Sequence, residues 1–520
     1  MRVLVVDAAG ARAADSAAIA AGIPSRALMQ RAGASAAAEI VRRFPDDIGA
    51  GVVVATGAGN NGGDGWVVAA TLHAAGVRVR VVECLAAHTP DARAERAVAI
   101  ASGVPHDDDV DSLLSGSERI AIDALLGTGL RADAPLEGAV AKAVATLNAR
   151  RLLDGSSIVA LDVPSGMNAT TGHDVGALRC ALTLAFGTLK RCHVMSRGGC
   201  GHIAVLDIGL GPHASVATTG GAMLATPQWF RHSLPPIDAS AHKGTRGKIA
   251  IVGGAPGMAG AVILAARAAL RSGAGLVKCV VAPDSVRAIQ EAEPAALVTP
   301  WPDDDATLRR EITDWADAVL AGPGLGRSIA RTLVERLLRQ FDGAVVLDAD
   351  ALNAFAGDAD RLAPLLGRRE AMLTPHPAEL ARLVDCTVDD VLFERFTLVT
   401  PLARRTGAVV LSKGVPTIVA APDGAVTVVA EGTPILATGG SGDMLGGIAV
   451  TLLAQTGNAA LAGALAAYAH GRAAHLVSAR DVRGYTLDDV LLALPVVWSL
   501  PIPAPRPPVL AELPAVGESV

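Results

Sequence analysis

Val52-Val53-Val54-Ala55-Thr56-Gly57-Ala58-Gly59-Asn60-Asn61-Gly62-Gly63-Asp64-Gly65 is the stretch from which the fold can be read. The unbroken apolar run Val52–Ala55 predicts a strand buried on both faces, because a strand with one wet face alternates in polarity. The glycines predict a tight loop, and a helix is expected over about Asp64–Ala75. Val77–Val82 reads as the next strand and about Ala92–Ala101 as the next helix. Ile120–Asp123 and Ile158–Asp162 are two further strands, each ending in Asp. Strands alternating with helices predict a Rossmann-like three-layer α/β/α unit, a parallel sheet with ligands outside the carboxyl ends of its strands. The loop after Thr56, Asp123 and Asp162 all fall at that edge.

A seam follows at residues 209–238, punctuated by Gly209-Leu210-Gly211-Pro212, Thr226-Pro227 and Pro235-Pro236. From Lys248 the pattern restarts, with strands expected at Ile249–Gly254, Val277–Val281, Ala318–Leu320, Val345–Asp348, Met372–Thr374 and Val409–Leu411. We therefore expect a first domain over 1–215, a linker over 216–240, a second α/β domain over 241–500, and a disordered Pro-rich tail over 501–520.

The chain of 520 residues exceeds one ordinary domain. With 51% hydrophobic and 18% charged residues it is globular, not disordered. A net charge of −6 without a basic run argues against a nucleic-acid partner. The six cysteines form no CxxC pair, which excludes a zinc signature or disulfide framework and points to a reducing compartment. Asp7 near the start, with no long apolar core, argues against a signal peptide, so a cytoplasmic protein is expected. Met444–Gly471 lacks any Asp, Glu, Lys or Arg, but Thr456-Gly457-Asn458 divides it. Two buried helices explain it better than a membrane span.

Two loops carry chemistry. Gly57–Gly62 satisfies GxGxxG, and Glu83 lies about 20 residues further on, as in dinucleotide-binding units. However, Asp64 at the helix start would repel a docked pyrophosphate. Asn61, Asp123 and Ser165 offer oxygen ligands from three strand ends, suited to a weakly held hard cation such as potassium. Helix capping is the plain alternative for Asp123 and Asp162. In the second half, Gly439-Gly440-Ser441-Gly442-Asp443 sits where a loop becomes a helix. Backbone N–H groups there can approach an anion. Asp443 makes no sense as a phosphate ligand but does as a base taking a proton from a hydroxyl beside the transferring phosphate.

Several motifs bear a family resemblance. Gly57–Gly65, Asp123-Ala124-Leu125-Leu126-Gly127-Thr128-Gly129 and Asp162-Val163-Pro164-Ser165-Gly166, with Leu28–Gly33, resemble the NAD(P)H-hydrate epimerase domain. That resemblance implies interconversion of the R and S epimers of hydrated NADH or NADPH. It implies substrate contacts from Asn60, Asn61, Gly62, Gly63 and Asp64, from Gly127, Thr128, Gly129, Leu130, Arg131, Ala132 and Asp133, and from Asp162. It also implies K+ held by Asn61, Asp123 and Ser165. Epimerisation needs the hydroxyl-bearing ring carbon to open and reclose, and Asp123 or Asp162 is the candidate carboxylate.

Gly253–Ala261, Gly322-Pro323-Gly324-Leu325-Gly326, Asp348-Ala349-Asp350, Thr374-Pro375-His376-Pro377-Ala378-Glu379, Ser412-Lys413-Gly414-Val415-Pro416-Thr417 and the Asp443 loop resemble the ribokinase-like NAD(P)H-hydrate dehydratase domain. By that resemblance Ala261, Gly324, His376 and Asp443 contact the hydrate. Lys413, Gly414, Val415, Pro416, Thr417 and Gly442 contact the AMP part of ADP, the co-substrate, which carries Mg2+. Glu431–Leu436 departs from the Gly-Asn-Pro-Gly of relatives. The expectation is a bifunctional enzyme whose partners are the small molecules NADHX, NADPHX and ADP, and enzymes of this kind are usually symmetric homo-oligomers. The rivals are a ribokinase-like small-molecule kinase that stops at the phosphate ester, an N-terminal half that only binds dinucleotide, and a dehydrogenase.

Overall fold

The computed structural model of the chain describes residues 2–130, 135–214, 221–478 and 481–516. Arg131, Ala132 and Asp133 of the expected substrate segment lie outside them. The chain divides into two compact units, one running to Met223 and including the segment from Ala504, the other Leu224–Pro503.

The first unit contains β1 (Leu4–Val6), α1 (Ala8–Ala20), α2 (Ser25–Arg43), β2 (Val52–Thr56), α3 (Asn60–Ala74), β3 (Val79–Glu83), α4 (Pro90–Ala101), β4 (His106–Asp107) and β5 (Ile120–Ala124). α5 (Gly138–Asp154), β6 (Ser157–Leu161), β7 (Leu182–Phe186), β8 (Leu189–Lys190), α6 (Arg191–Met195) and β9 (His202–Leu206) follow. The main sheet runs β9-β7-β6-β5-β2-β3-β4 with all neighbours parallel. Val52 and Val54 enter one core with Trp66 and Ile40, while Val53 and Ala55 enter another with Val144 and Leu147. That split is why β2 is apolar at successive positions. β2 pairs with β3 on one side and β5 on the other, so the strand order reverses there. A crevice opens at such a reversal.

In the second unit β10 (Lys248–Val252), α7 (Ala259–Arg271), β11 (Leu276–Val281), β12 (Leu297–Pro300), β13 (Ala318–Ala321), α8 (Arg327–Gln340), β14 (Ala344–Leu347) and β15 (Ala371–Leu373) repeat the plan. After α9 (Pro377–Val384) and α10 (Val388–Thr406), β16 (Val409–Ser412) is followed by an antiparallel meander, β17 (Thr417–Ala420) and β18 (Val426–Val429). The order β12-β11-β10-β13-β14-β15-β16 is parallel and reverses between β10 and β13. The uncharged stretch forms α11 (Ser441–Thr456) and α12 (Ala459–Val477), separated at Gly457 and Asn458, and α13 (Leu487–Ser499) packs on α12. Among the described residues no helix is long and apolar enough to cross a membrane.

Two expectations are corrected. The 216–240 segment is not a bare linker: Thr226 caps a helix over Pro227–Ser233, whose Phe230 is buried and stacks on Tyr468 at 4.4 Å. The Thr-Pro pair that punctuates the sequence is a helix start. Nor are the described residues of the tail all without structure. β19 (Val509–Leu513) pairs antiparallel with β9 in the first unit, because Val509, Leu510 and Leu513 follow the prolines with strand-forming side chains.

Candidate functional sites

A cleft of about 430 Å3 opens at the strand reversal of the first unit. Its walls include Asn60, Asn61 and Asp64 from α3, Leu125–Gly129 after β5, Asp162 after β6, and Asp15 from α1. α3 begins at Asn60, four positions before the expected start, so the asparagines sit in its first turn and Asp64 in its second. Most of the loop's glycines serve packing. A Cβ on Gly57 would lie 2.0 Å from the Leu125 carbonyl oxygen, and one on Gly62 would lie 1.9 Å from that of Gly57. Glu83, the carboxylate a dehydrogenase would turn to a ribose, is held by Arg96 at 2.7 and 2.8 Å.

The two candidate catalytic carboxylates part company here. Asp123 is fully buried and accepts from the Ser165 hydroxyl at 2.6 Å, the Ser165 amide at 2.8 Å and the Leu125 amide at 3.1 Å. Burial pushes its carboxyl up to about 6 against those hydrogen bonds. It does not line the cleft, whereas Asp162 does. Asp162 has φ +63°, a conformation that non-glycine residues rarely adopt. Its neighbours fix it there. Its amide donates to Leu184 O at 2.9 Å, its Oδ1 accepts from the Phe186 amide at 3.2 Å, and Lys190 pairs with the same oxygen.

Lys190, His193 and Asp15 carry no motif in the sequence. Their only signal is the apolar run Leu182–Phe186, which forms β7 and leads the chain to Lys190. Lys190 is 2% exposed, and its ammonium also donates to Phe186 O at 3.1 Å and Thr188 O at 3.3 Å. His193 Nδ1 accepts from the Lys190 amide at 3.1 Å, which leaves Nε2 to donate to Asp162 O at 2.7 Å. Burial, then Lys190, lowers His193 to about 4, so the ring is a neutral clamp. Burial, followed by Asp162 and Asp15, raises Asp64 well above the carboxylate range, and burial pushes Asp15 up to about 6.

Asn61 brings orphan polar atoms to the wall of this cleft. Both ends of its buried carboxamide lack a hydrogen-bond partner, and Thr56 Oγ1 does too. A buried carboxylate beside unsatisfied oxygens suits a cation of low charge density.

The second centre lies at the strand reversal of the other unit. A Cβ on Gly324 would lie 2.8 Å from that of Met258 and 3.3 Å from that of Ala261, so the loop after β13 meets the loop after β10 and the first turn of α7. Asp350 accepts from the Gly326 amide at 2.8 Å and ties the Asp348-Ala349-Asp350 turn to the same loop. In that turn Ala349 has φ +48°. Lys413 donates to Asp348 Oδ1 at 2.6 Å and lies 3.8 Å from Glu379. His376 caps α9 through Nδ1, and its Nε2 faces Glu379 at 3.2 Å. Gly440, at φ +95°, turns the chain into α11, whose first-turn N–H groups have no intrahelical acceptor. A Cβ on Gly442 would stand 3.2 Å from Lys413 Nζ, so Lys413 faces the helix start. Burial, then Asp348, pushes Asp443 up to about 7, with Lys413 opposing. Asp443 is thus poised near neutrality, as a general base requires.

Gly414 and Val415 are exposed, while Pro416 and Thr417 are buried and Thr417 Oγ1 donates to Gly414 O at 2.8 Å. Among the described residues no three His, Cys, Asp or Glu side chains are grouped to hold a metal ion. The sequence motifs containing Asp348 and Glu379 assign neither carboxylate a role. Spatial grouping around Lys413 is what gives them one.

Two parallel α/β units, each with a lysine–carboxylate centre at its strand reversal, define a two-site enzyme of mixed α/β class. A family model described as NAD(P)H-hydrate dehydratase matches residues 249–495, and one described as YjeF-related protein N-terminus matches 25–192. The bifunctional NAD(P)H-hydrate repair enzyme Nnr of Salinibacter ruber is 36% identical over 91% of this chain and 92% of its own. That of Moorella thermoacetica is 36% identical with the same coverage, and that of Escherichia coli 34% identical over 90% and 88%. The chain belongs to the bifunctional NAD(P)H-hydrate repair enzymes.

Proposed function

We propose that the first unit interconverts the R and S epimers of hydrated NADH and NADPH, and that the second dehydrates the S epimer at the expense of ADP. Family membership over nine-tenths of the chain supports both halves of this reading. Asp443, raised to about 7 above a helix N-terminus, is the observation that carries the second.

In the second unit Asp443 takes the proton of the ring hydroxyl. The oxygen attacks the terminal phosphate of ADP, and AMP departs. Hydroxide is a poor leaving group and phosphate a good one, so the C–O bond breaks with its electron pair leaving on phosphate, and loss of a proton from the adjacent ring carbon to solvent restores the ring double bond. The Gly439–Gly442 amides stabilise charge on the transferring group. Ala261, Gly324 and His376 border the hydrate, and Lys413–Thr417 with Gly442 receive the nucleotide. Magnesium would be carried in on the nucleotide phosphates and would offset their charge there, with no protein cage of its own among the described residues.

In the first unit Asp162 serves as the carboxylate at the ring, with Asn60–Asp64 and Gly127–Asp133 as substrate contacts. Asp123, with its oxygens engaged by Ser165, goes to the cation instead. Potassium held by Asn61, Asp123 and Ser165 would offset the buried negative charge and tie three strand-end loops together.

The test is product identity. Incubation of S hydrate with ADP and magnesium should release AMP and free phosphate in equal amounts with restored NADH. A stable phosphorylated product would instead favour the small-molecule kinase.

A further inference from the structure

Resting on the epimerase reading of the first cleft, we propose that Asp64 and Asp162 are its proton donor and proton acceptor, with Lys190 as the positioning residue that holds Asp162 in place.

Opening the hydrated ring moves one proton from oxygen to nitrogen. The C–O–H proton goes to Asp162, the C–N bond breaks with its electron pair passing to nitrogen, and nitrogen takes a proton from Asp64. An aldehyde and a ring-opened N–H result. Rotation about the adjoining bond exposes the other face. Closure returns the nitrogen proton to Asp64 and the Asp162 proton to oxygen, so no co-reactant is consumed.

The reaction needs one ionised and one protonated group facing a common space, and both side chains line the cleft. Lys190 makes the pair unequal. It sits on the Asp162 side, bonded to Asp162 Oδ1 and to the carbonyls of Phe186 and Thr188. Those three acceptors account for its three protons, so it acts through Asp162 and not on substrate. His193 bridges the backbones of Lys190 and Asp162 with both ring nitrogens committed, which removes it as a rival base. Asp162 is thereby held at φ +63°, a strained position of the kind found where structure over-determines a working group.

Asp64 lacks such a partner. The charged groups facing it are Asp15 from α1, Asp162 from the end of β6, and Lys190 from β8. Further along the wall stand Arg12 and Asp91, the latter accepting from Ser25 Oγ at 2.6 Å. Burial favours the protonated form of Asp64, and the carboxylates of Asp162 and Asp15 add to this against the one ammonium of Lys190.

The experiment follows conversion of pure R hydrate by the full chain, without ADP so that the second site is silent. Wild type should lose epimerase activity on the alkaline side, as Asp64 gives up its proton. Lys190→Met should slow epimerisation by about 100-fold, within the range of a lost acid–base contribution. It should also move the alkaline limb to higher pH, because the positive charge opposing the rise of Asp64 is gone. Lys190→Arg should restore most of the rate and the limb. A Lys190→Met rate within about threefold of wild type, or a slow variant with an unmoved limb, would overturn the proposal. If thermal unfolding shows that variant to be unfolded, Asp64→Asn decides. It should be slower by about 100-fold and lack the alkaline limb, and near-wild-type activity would overturn the proposal. A wild type that does not convert R hydrate would overturn the epimerase reading itself.

Discussion

Each unit solves a similar electrostatic problem with a lysine paired to a carboxylate, and the two solutions differ in what surrounds it. In the first, Lys190 pairs with Asp162 and the neighbouring Asp64 and Asp15 are pushed toward their protonated forms. In the second, Lys413 pairs with Asp348, and Asp443 is raised to about 7 beside a helix N-terminus. The loop glycines differ in what they meet. A Cβ on Gly57 or Gly62 would collide with backbone, whereas in the second loop one on Gly439 would meet nothing within 4 Å and one on Gly440 or Gly442 would meet side chains only. The first loop is packed against its own chain and leaves polar side chains to do the chemistry. The second leaves backbone amides open to an anion. Proton shuffling needs carboxylates of unequal ionisation, and phosphoryl transfer needs a base beside an anion hole.

The sharpest way to break this comparison is to remove each base in turn. Asp443→Asn should cut dehydration of S hydrate by about a thousandfold while leaving epimerisation at wild-type rate, measured by phosphate release and epimer ratio respectively. Asp162→Asn should do the converse, with a loss of about a hundredfold in epimerisation. Loss of both activities in either variant would mean that the sites are not independent.

The pH dependence sharpens it further. Asp443 must be ionised to accept a proton, so dehydration should rise with pH through about 7. Asp348 is the charge that, after burial, raises Asp443, so Asp348→Asn should move that limb to lower pH. An unmoved limb would assign it to another group. The smallest effect belongs to Gly440, at φ +95° with Leu264 2.5 Å from where a Cβ would stand. Gly440→Ala should destabilise the second unit by about 1–2 kcal/mol in thermal unfolding. Gly439→Ala should cost much less stability but still weaken nucleotide binding.

These contrasts were unequally legible in the sequence. The parallel sheets followed from continuous apolar runs such as Val52–Ala55 and Ile249–Val252, each ended by a Gly loop, whereas the strand order and its reversals depend on pairing between distant segments that such runs do not encode. Asp162, Asp348 and Asp443 were visible because they end strands or begin a helix. Lys190 and His193 were not, because their meaning depends on which side chains face them across the sheet edge. The roles of Gly57 and Gly62 were also hidden, since a glycine that lets a ligand approach and one that lets a carbonyl approach look alike. Val509–Leu513 was masked by the prolines before it, although it supplies an edge partner for β9.

The most direct test is recovery of nicotinamide absorbance from a mixture of R and S NADH hydrate with ADP and magnesium. Wild type should restore both epimers, Asp162→Asn the S fraction with little of the R, and Asp443→Asn neither. Full recovery by Asp443→Asn, or a phosphorylated product accumulating in wild type without recovered absorbance, would contradict the account.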